Sequence, residues 1–448
     1  MANVVLRDPI HGDVELTREE IALVDTLEVQ RLRGIKQLGT AHLVYPGATH
    51  TRFEHSIGTL WMTDRLLAAM TKGAQRDSSC LQPDEDARRA LRIAALLHDV
   101  THVPFGHNIE DQTGLLPRHD RPERFQALLG SGEVGEVLAR LGLRETVLAV
   151  LAGEGDEVPP WWRQLLSDTI DADLLDYLRR DAYYTGLALR YDDRILSSFR
   201  IDRASGRMFV DCEKQGMLRE DALSEVLRTL ETRYHFSERV YYHHAKIAAG
   251  ALLARMVEVA LRSGSLTAAD LQAASDQSLI DRFATLDLGD ERSNARLRRF
   301  HGRFVRRALP KRVLVLPLYL NRAVQSELLE TYFSPGKPEP RFAWEEALER
   351  EAAARFRREL DVILYCPKRS MQLKEARTLV RLPGRGARIL PLAEFAGDLP
   401  RLADLEESYL RLWKLYVFTS EPDVEVRRQL QEMCLRALPS GCVNALRL

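Results

Sequence analysis

The chain has no excess of charge, no long apolar run and very little cysteine. Its 64 Lys and Arg stand against 65 Asp and Glu, a formal net charge of -1. That balance excludes bulk electrostatic capture of nucleic acid and leaves only a local basic patch for such a role. No stretch approaches the roughly 20 apolar residues that a membrane span requires. The start, Met1-Ala2-Asn3-Val4-Val5-Leu6-Arg7-Asp8, meets charge before a signal-like apolar stretch can form. Five cysteines, Cys80, Cys212, Cys366, Cys434 and Cys442, are odd in number and form no CxxC pair. This excludes a disulfide framework and a zinc ribbon, and predicts reduced thiols. Internal repeats and low-complexity segments are missing too. Together these absences predict a soluble, cytoplasmic protein without a membrane partner.

What is present is the balance of a folded globular protein, 45% hydrophobic and 29% charged. A length of 448 residues is enough for about two or three domains. Residues 3–16 read as a short hairpin, with Asp8-Pro9 and His11-Gly12-Asp13 supplying turn chemistry. From about residue 18 to 260 the hydrophobic period is helical. It is interrupted at 147–154 and at 201–216, the latter with a hairpin around Ala204-Ser205-Gly206. Past Arg262-Ser263-Gly264-Ser265 the texture changes. Val313–Pro317 and Val362–Tyr365 look like strands, while 343–360 and 403–435 look helical. The expected organisation is a helical core at 1–262 and a mixed C-terminal portion at 263–448. The arginine-rich stretch with Arg296, Arg298, Arg299, Arg303, Arg306 and Arg307 reads as a solvated or interface helix in preference to a nucleic-acid surface.

Three segments hold most of the unusual chemistry. In Thr51-Arg52-Phe53-Glu54-His55, Thr51 and Glu54 have capping-box spacing, so Glu54 reads as a cap and His55 sits in a first helical turn. The second segment ends a very apolar helix on His98-Asp99, an expensive pair unless something compensates it. A metal ion does so, because neutral imidazole and carboxylate are its usual nitrogen and oxygen ligands. Pro104 and Gly106 then break the helix and let His102 and His107 turn toward one cavity. Glu110 follows His107 by three, on the same face of the next helix. In the third segment Asp173, Tyr177 and Asp181 recur at i, i+4 and i+8, one polar stripe. Surplus histidines beside a metal, here His102, His107 and His119, suit proton transfer or phosphate neutralisation.

These motifs resemble the HD-domain deoxynucleoside triphosphate triphosphohydrolases, the group that includes bacterial dGTPase-like enzymes and the animal sterile-alpha-motif/HD enzyme. The resemblance runs over about residues 5–250. It rests on Asp8-Pro9-Ile10-His11-Gly12, Gln30-Arg31-Leu32-Arg33, Ile35–Gly39, Pro46-Gly47-Ala48, Arg52–Ser56, His98-Asp99, Asp173 with Asp176-Tyr177, and Arg180-Asp181. It implies a mainly α fold: a helical HD-domain core with a short N-terminal hairpin and a mixed α+β C-terminal portion. It implies His55, His98, Asp99 and Asp173 as metal ligands, and His102, Glu110 and His119 as the catalytic set. Arg52 and His107 fall on phosphate contacts, Gln37 and Leu38 on deoxyribose contacts. Tyr241 falls on the aromatic that crowds the sugar 2′ position, and Tyr177, Asp181 and Arg233 on further nucleotide contacts.

Two departures stand out. The family's Gly-His-Gly is here Thr101-His102-Val103, and Leu174 stands where the animal enzyme has a phosphate-binding lysine. The expected activity is hydrolysis of a deoxynucleoside triphosphate to deoxynucleoside and tripolyphosphate. A mono- or diphosphate phosphatase, a phosphodiesterase, and a nucleotide or nucleic-acid sensor with vestigial catalysis are the alternatives. The expected cofactor is one divalent metal, Mn, Fe, Ni, Co, Zn or Mg. The expected partners are the nucleotide substrate, an activating nucleotide and further copies of the chain in a dimer or tetramer.

Overall fold

In the computed structural model, residues 4–111, 115–153, 155–366, 377–383, 388–397 and 399–448 are described. The first three residues of the N-terminal reading lie outside them. The fold is mainly α, with a short hairpin at the start and a mixed α+β C-terminal portion. Strand Val4–Asp8 pairs antiparallel with Gly12–Leu16. Gly12 closes the turn at φ 81°, a left-handed backbone that favours glycine. Asp8 Oδ1 accepts the amides of Ile10 and His11 at 2.8 Å each, which folds the turn locally.

Three helices build the wall that will carry the site. The helix Arg52–Ala74 starts in a reciprocal capping box: Thr51 N donates to Glu54 Oε2 at 2.6 Å, and Glu54 N returns to Thr51 Oγ1 at 3.4 Å. The helix Glu85–Leu97 is capped by Asp84 and buries Leu91, Ala94, Ala95 and Leu97. The helix Ala172–Thr185 is capped by Asp171, which accepts from Leu174 N, and stops at left-handed Gly186. The first of these packs on both others.

The C-terminal portion holds a three-stranded antiparallel sheet with Lys414–Thr419 between Lys311–Pro317 and Val362–Tyr365. The central strand falls inside the span read as helical, 403–435. Its flanks are helices, Pro400–Leu412 and Val424–Ala437, and their period hides six residues of strand. The run Leu415-Tyr416-Val417-Phe418-Thr419 is nonetheless rich in aromatic and β-branched side chains, as strands are. The interruption expected at 147–154 likewise begins late, because Arg144–Leu151 is helix. Strands Phe199–Ile201 and Met208–Asp211 pair around Ala204–Gly206 as expected.

This sheet separates two apolar cores, and its side chains alternate between them at the period of two a strand dictates. Leu314, Leu316, Val362, Leu364, Leu415 and Val417 face the first core. Val315, Ile363, Tyr365, Tyr416 and Phe418 face the second. The helix His244–Arg262 ends where the organisation was expected to divide. Its Ala248, Leu252 and Met256 pack in the second core with Phe283, Phe300 and Tyr416. Met208–Asp211 also pairs in parallel with Leu379–Arg381. Elements from both sides of position 262 therefore share a core and a sheet. No helix among the described residues is long and apolar enough to cross a membrane.

The arginine-rich helix Glu291–Val305 turns Phe300 and Phe304 inward. Three of its five arginines are tied to carboxylates: Arg296 to Glu349 at 2.6 Å, Arg298 to Glu291 at 2.6 Å and Arg299 to Asp361 at 3.2 Å. Guanidinium groups already paired offer little to phosphates.

A buried bidentate pair locks the second core: Arg255 donates to both oxygens of Glu345 at 2.6 Å. Glu345→Ala should lower unfolding stability by about 3 kcal/mol, since it leaves a buried charge short of its partner. Glu258, 3.6 Å from Arg255, keeps the loss at the low end. Removing exposed Glu407 from Arg411 should change stability by less than about 0.5 kcal/mol. Denaturant titration of both variants checks the contrast; equal losses would contradict it.

Candidate metal and hydrolase site

The structure brings His55, His98, Asp99 and Asp173 together from two helices and the turn that ends a third. His55 Nε2 lies 2.8 Å from Asp173 Oδ1, 3.2 Å from His98 Nε2 and 3.9 Å from Asp99 Oδ2. His98 Nε2 is 3.6 Å from Asp99 Oδ1 and 3.8 Å from Asp173 Oδ1. His98 donates through Nδ1 to the Ala95 carbonyl at 2.7 Å, leaving Nε2 for the centre. Ligand atoms of His55, His98 and Asp99 all fall within 4.8 Å of one another. Burial pulls the His55 imidazolium down, but Asp173 and Asp176 outweigh it and lift the group to about 10. The donor set of imidazole nitrogen and carboxylate oxygen fits a divalent metal.

Asp99 is buried, which works against its charge. Arg52, His98 and His102 outweigh that burial and hold its carboxyl well below the usual range. Arg52 Nη1 donates to Asp99 Oδ2 at 2.6 Å, and a Cβ at residue 106 would meet Arg52 Nη2 at 2.5 Å. Gly106, at φ 46°, is what admits Arg52 here.

A second cluster adjoins the first. His102 spans it, with Nε2 3.2 Å from Asp99 Oδ1 and Nδ1 3.1 Å from Glu110 Oε2. His119 also directs Nδ1 to Glu110 Oε2, at 2.9 Å, and stacks on His102 with ring centroids 3.6 Å apart. Burial opposes the Glu110 charge, and His102 and His119 hold its carboxyl well below its ordinary range. Burial and the neighbouring His102 push His119 down to about 3. His107 reaches the same cavity, its ring 5.2 Å from those of His102 and His119. The expectation of a shared face for His107 and Glu110 is met only in part. The helix His107–Glu110 is a single turn, and it buries Glu110 while leaving the His107 side chain 49% exposed.

The third stripe lies on Ala172–Thr185. Asp181 Oδ1 is 3.0 Å from His50 Nε2, and its Oδ2 accepts the Tyr241 hydroxyl at 2.6 Å. Gln37 joins through its backbone, donating to the His50 carbonyl at 3.0 Å, and its buried Oε1 has no partner among the described residues. Leu38, next to it, is buried. Burial opposes the Arg233 guanidinium, and Tyr177, Tyr409, Asp171 and Tyr241 outweigh it and raise it. The Tyr177 ring centroid stands 6.5 Å from that of His55, which sets this stripe beside the His55–Asp173 cluster. Leu174 packs in the first core and offers no charge.

Residues whose roles the sequence did not disclose hold the loop after His98. Arg31 donates to the carbonyls of Val100 and His102 at 3.0 and 2.7 Å, and to Ala274 at 3.2 Å. Arg124 donates to the carbonyl between them, Thr101. Burial and neighbouring Arg124 pull Arg31 down only to about 10, so it stays charged at neutral pH. Arg31 sat in a quoted motif without a role, and Arg124 carried no signal. The two departures from Gly-His-Gly are put to use: Thr101 Oγ1 donates to the His119 carbonyl at 2.7 Å, and Val103 packs with Phe105 and Ile109.

Residues 52–181 match the HD domain family, a span that holds His55, His98, Asp99 and Asp173. An uncharacterized protein of Methanocaldococcus jannaschii is 30% identical over 62% of this chain and 54% of its own length. The uncharacterized protein YwfO of Bacillus subtilis is 35% identical over 56% of this chain and 55% of its own. The deoxynucleoside triphosphate triphosphohydrolase SAMHD1 of Homo sapiens is 29% identical over 53% of this chain and 42% of its own. The chain thus spans about half the length of the curated relatives it matches. The crystal structure of a hypothetical protein from Aquifex aeolicus shares the fold, with a TM-score of 0.67 and 23% identity over 98% of this chain and 100% of that one.

Elemental analysis of the purified chain should find about one divalent metal per molecule. Asp99→Ala should lose it while its circular dichroism stays that of a folded helical protein. Full occupancy in that variant would remove Asp99 from the centre.

Proposed function

We propose, from the premise that this chain carries an HD domain similar to that of the deoxynucleoside triphosphate triphosphohydrolases, that it is a metal-dependent phosphohydrolase of deoxynucleoside triphosphates. The observation that supports this reading is the convergence of His55, His98, Asp99 and Asp173 beside the cluster of His102, Glu110 and His119. The four first-named side chains would hold one divalent cation, Mn, Fe, Ni, Co, Zn or Mg. Such a cation, when bound, polarises phosphate oxygens and lowers the pKa of bound water.

Hydrolysis at the α-phosphorus breaks the bond to O5′, joins a water oxygen to phosphorus and leaves the proton on O5′. His102 is the group to deliver that proton from Nε2, with Glu110 holding its Nδ1 side. Arg52 and half-exposed His107 would offset charge building on the phosphoryl oxygens. Gln37, Leu38, Tyr177, Asp181, Arg233 and Tyr241 would hold the nucleoside. An activating nucleotide and a homo-oligomer belong to the same proposal. Uncharged Leu174 favours one competing substrate, a mono- or diphosphate, because no lysine meets the tail there. A panel of nucleotides, assayed for free nucleoside, orthophosphate and tripolyphosphate, tests the choice: tripolyphosphate supports the proposal, and orthophosphate alone overturns it.

His102→Ala should keep its metal and lose about a hundredfold to ten-thousandfold in kcat. A variant with near-normal kcat would make His102 structural only. Tyr241, held to Asp181 by its hydroxyl, is the expected sugar gate. The unmodified protein should prefer a deoxynucleotide over its ribonucleotide, and Tyr241→Ala should narrow the gap, since steric rejection is relaxed by truncation. Equal kcat/KM for the two sugars in the unmodified protein would sink that assignment.

A further inference from the structure

One buried carboxylate stands directly behind the metal cluster without being part of it. Asp176 Oδ2 lies 2.7 Å from His55 Nδ1, on the far side of the ring from the converging Nε2. Its other oxygen, Oδ1, lies 2.6 Å from His11 Nε2. Arg180 grips the same carboxylate with both arms, Nε to Oδ2 and Nη2 to Oδ1, each at 2.9 Å. The remaining arm of Arg180 reaches Asp8 Oδ2 at 2.8 Å. Asp8 in turn folds the hairpin turn through Ile10 and His11, and the His11 ring stacks on Trp61 at 4.2 Å. Asp176 and Arg180 are wholly buried, and Asp8 is buried as well. The helix Arg52–Ala74 is notched to admit the pair: a Cβ on Gly58 would fall 2.0 Å from Asp176 Oδ1 and 2.2 Å from Arg180 Nη2.

The tautomer follows from this arrangement. A carboxylate at Nδ1 keeps a proton on that nitrogen, so the nitrogen that can give up its proton and turn a lone pair to a cation is Nε2. Thr59 Oγ1, 3.5 Å from Nδ1, is too distant to compete. Carboxylates placed behind a ligating imidazole fix its ring and raise its basicity.

We propose that Asp176 is the positioning residue of the cation site, and that the N-terminal turn Asp8–His11 holds Asp176 through Arg180 and His11. Hairpin and cation are thereby coupled. A ligand that favours the oriented His55 favours the docked turn, and by linkage the docked turn raises affinity for the ligand by the same factor. This rests on the metal reading above, and the test separates the two. Metal-free protein is titrated with Co²⁺ alone, reading both affinity and the visible absorption of the bound ion. If the unmodified chain gives no Co²⁺ spectrum and takes up none, the metal reading fails and the coupling with it.

If it does bind, Asp176→Asn should weaken Co²⁺ by about 10- to 100-fold and alter the spectrum. His11→Ala should weaken it by about fivefold or more, with His11→Gln, which keeps a donor, recovering part of the loss. Amide exchange of residues 4–16 should slow on Co²⁺ addition in the unmodified chain and not in Asp176→Asn. Should Asp176→Asn fail to fold, the His11 pair and the exchange measurement on the unmodified chain decide. Affinity within twofold for all variants that fold, or exchange of 4–16 indifferent to Co²⁺, overturns the proposal.

Discussion

Negative charge buried inside a helical bundle is the constraint that the rest of this structure answers to. Asp8, Asp99, Glu110, Asp176 and Asp181 are all buried, and an uncompensated carboxylate in such surroundings is very costly. Each is met by donors: Asp8 and Asp176 by Arg180, Asp99 by Arg52, Glu110 by His119, Asp181 by His50 and Tyr241. The histidines are therefore distributed where carboxylates are, and the two clusters meet at Asp99, which faces His98 and His102 with one oxygen and Arg52 with the other. Asp173 differs, with a side chain 34% exposed that points to the same centre. It is the open side of the arrangement, as the proposed cation and substrate would require.

The elements that bring these groups together are positioned by ordinary local chemistry. A capping box starts the helix that carries His55, an aspartate cap starts the one that carries Asp173, and a left-handed glycine turns the loop that delivers His107. Between His98 and His102 the backbone has little regular structure of its own. Its three carbonyls from Val100 to His102 are held instead by Arg31 and Arg124. A loop pinned through its carbonyls keeps its shape whatever side chains it bears, which is consistent with Thr101 and Val103 standing where the resembling family has glycine.

How much of this was legible in the sequence depends on the distance over which each signal acts. His98-Asp99 closing an apolar helix, the Thr51–Glu54 cap and the Asp173–Asp181 stripe are local patterns, and each could be read directly. The role of Asp176 was not readable from spacing, because its partners His11 and His55 are 165 and 121 residues away. Arg31 stood in the Gln30–Arg33 motif without a role, since nothing in a linear sequence shows that its partners are carbonyls. The strand Lys414–Thr419 was lost for a different reason: two helices press on it from either side in sequence, and a window long enough to see their period averages it away. The sharing of cores across position 262 was equally hidden, since a shift in texture marks a change of secondary structure and not a separation of cores.

The parallel pairing of Met208–Asp211 with Leu379–Arg381 sets a timetable for biosynthesis. Val210 and Val380 are register partners, so one strand leaves the ribosome about 170 residues ahead of the other. At about 5–20 residues per second, the earlier strand waits roughly ten to thirty seconds with one side of its backbone unsatisfied. It has its hairpin neighbour Phe199–Ile201 on the other side throughout. Bare strand edges invite pairing with other chains. Arg381, which closes on Asp211 with two hydrogen bonds at 2.9 and 2.8 Å, is the charge that finally seals the edge. The nascent chain is thus most exposed to misassembly after its N-terminal bundle is complete and before its last third has emerged.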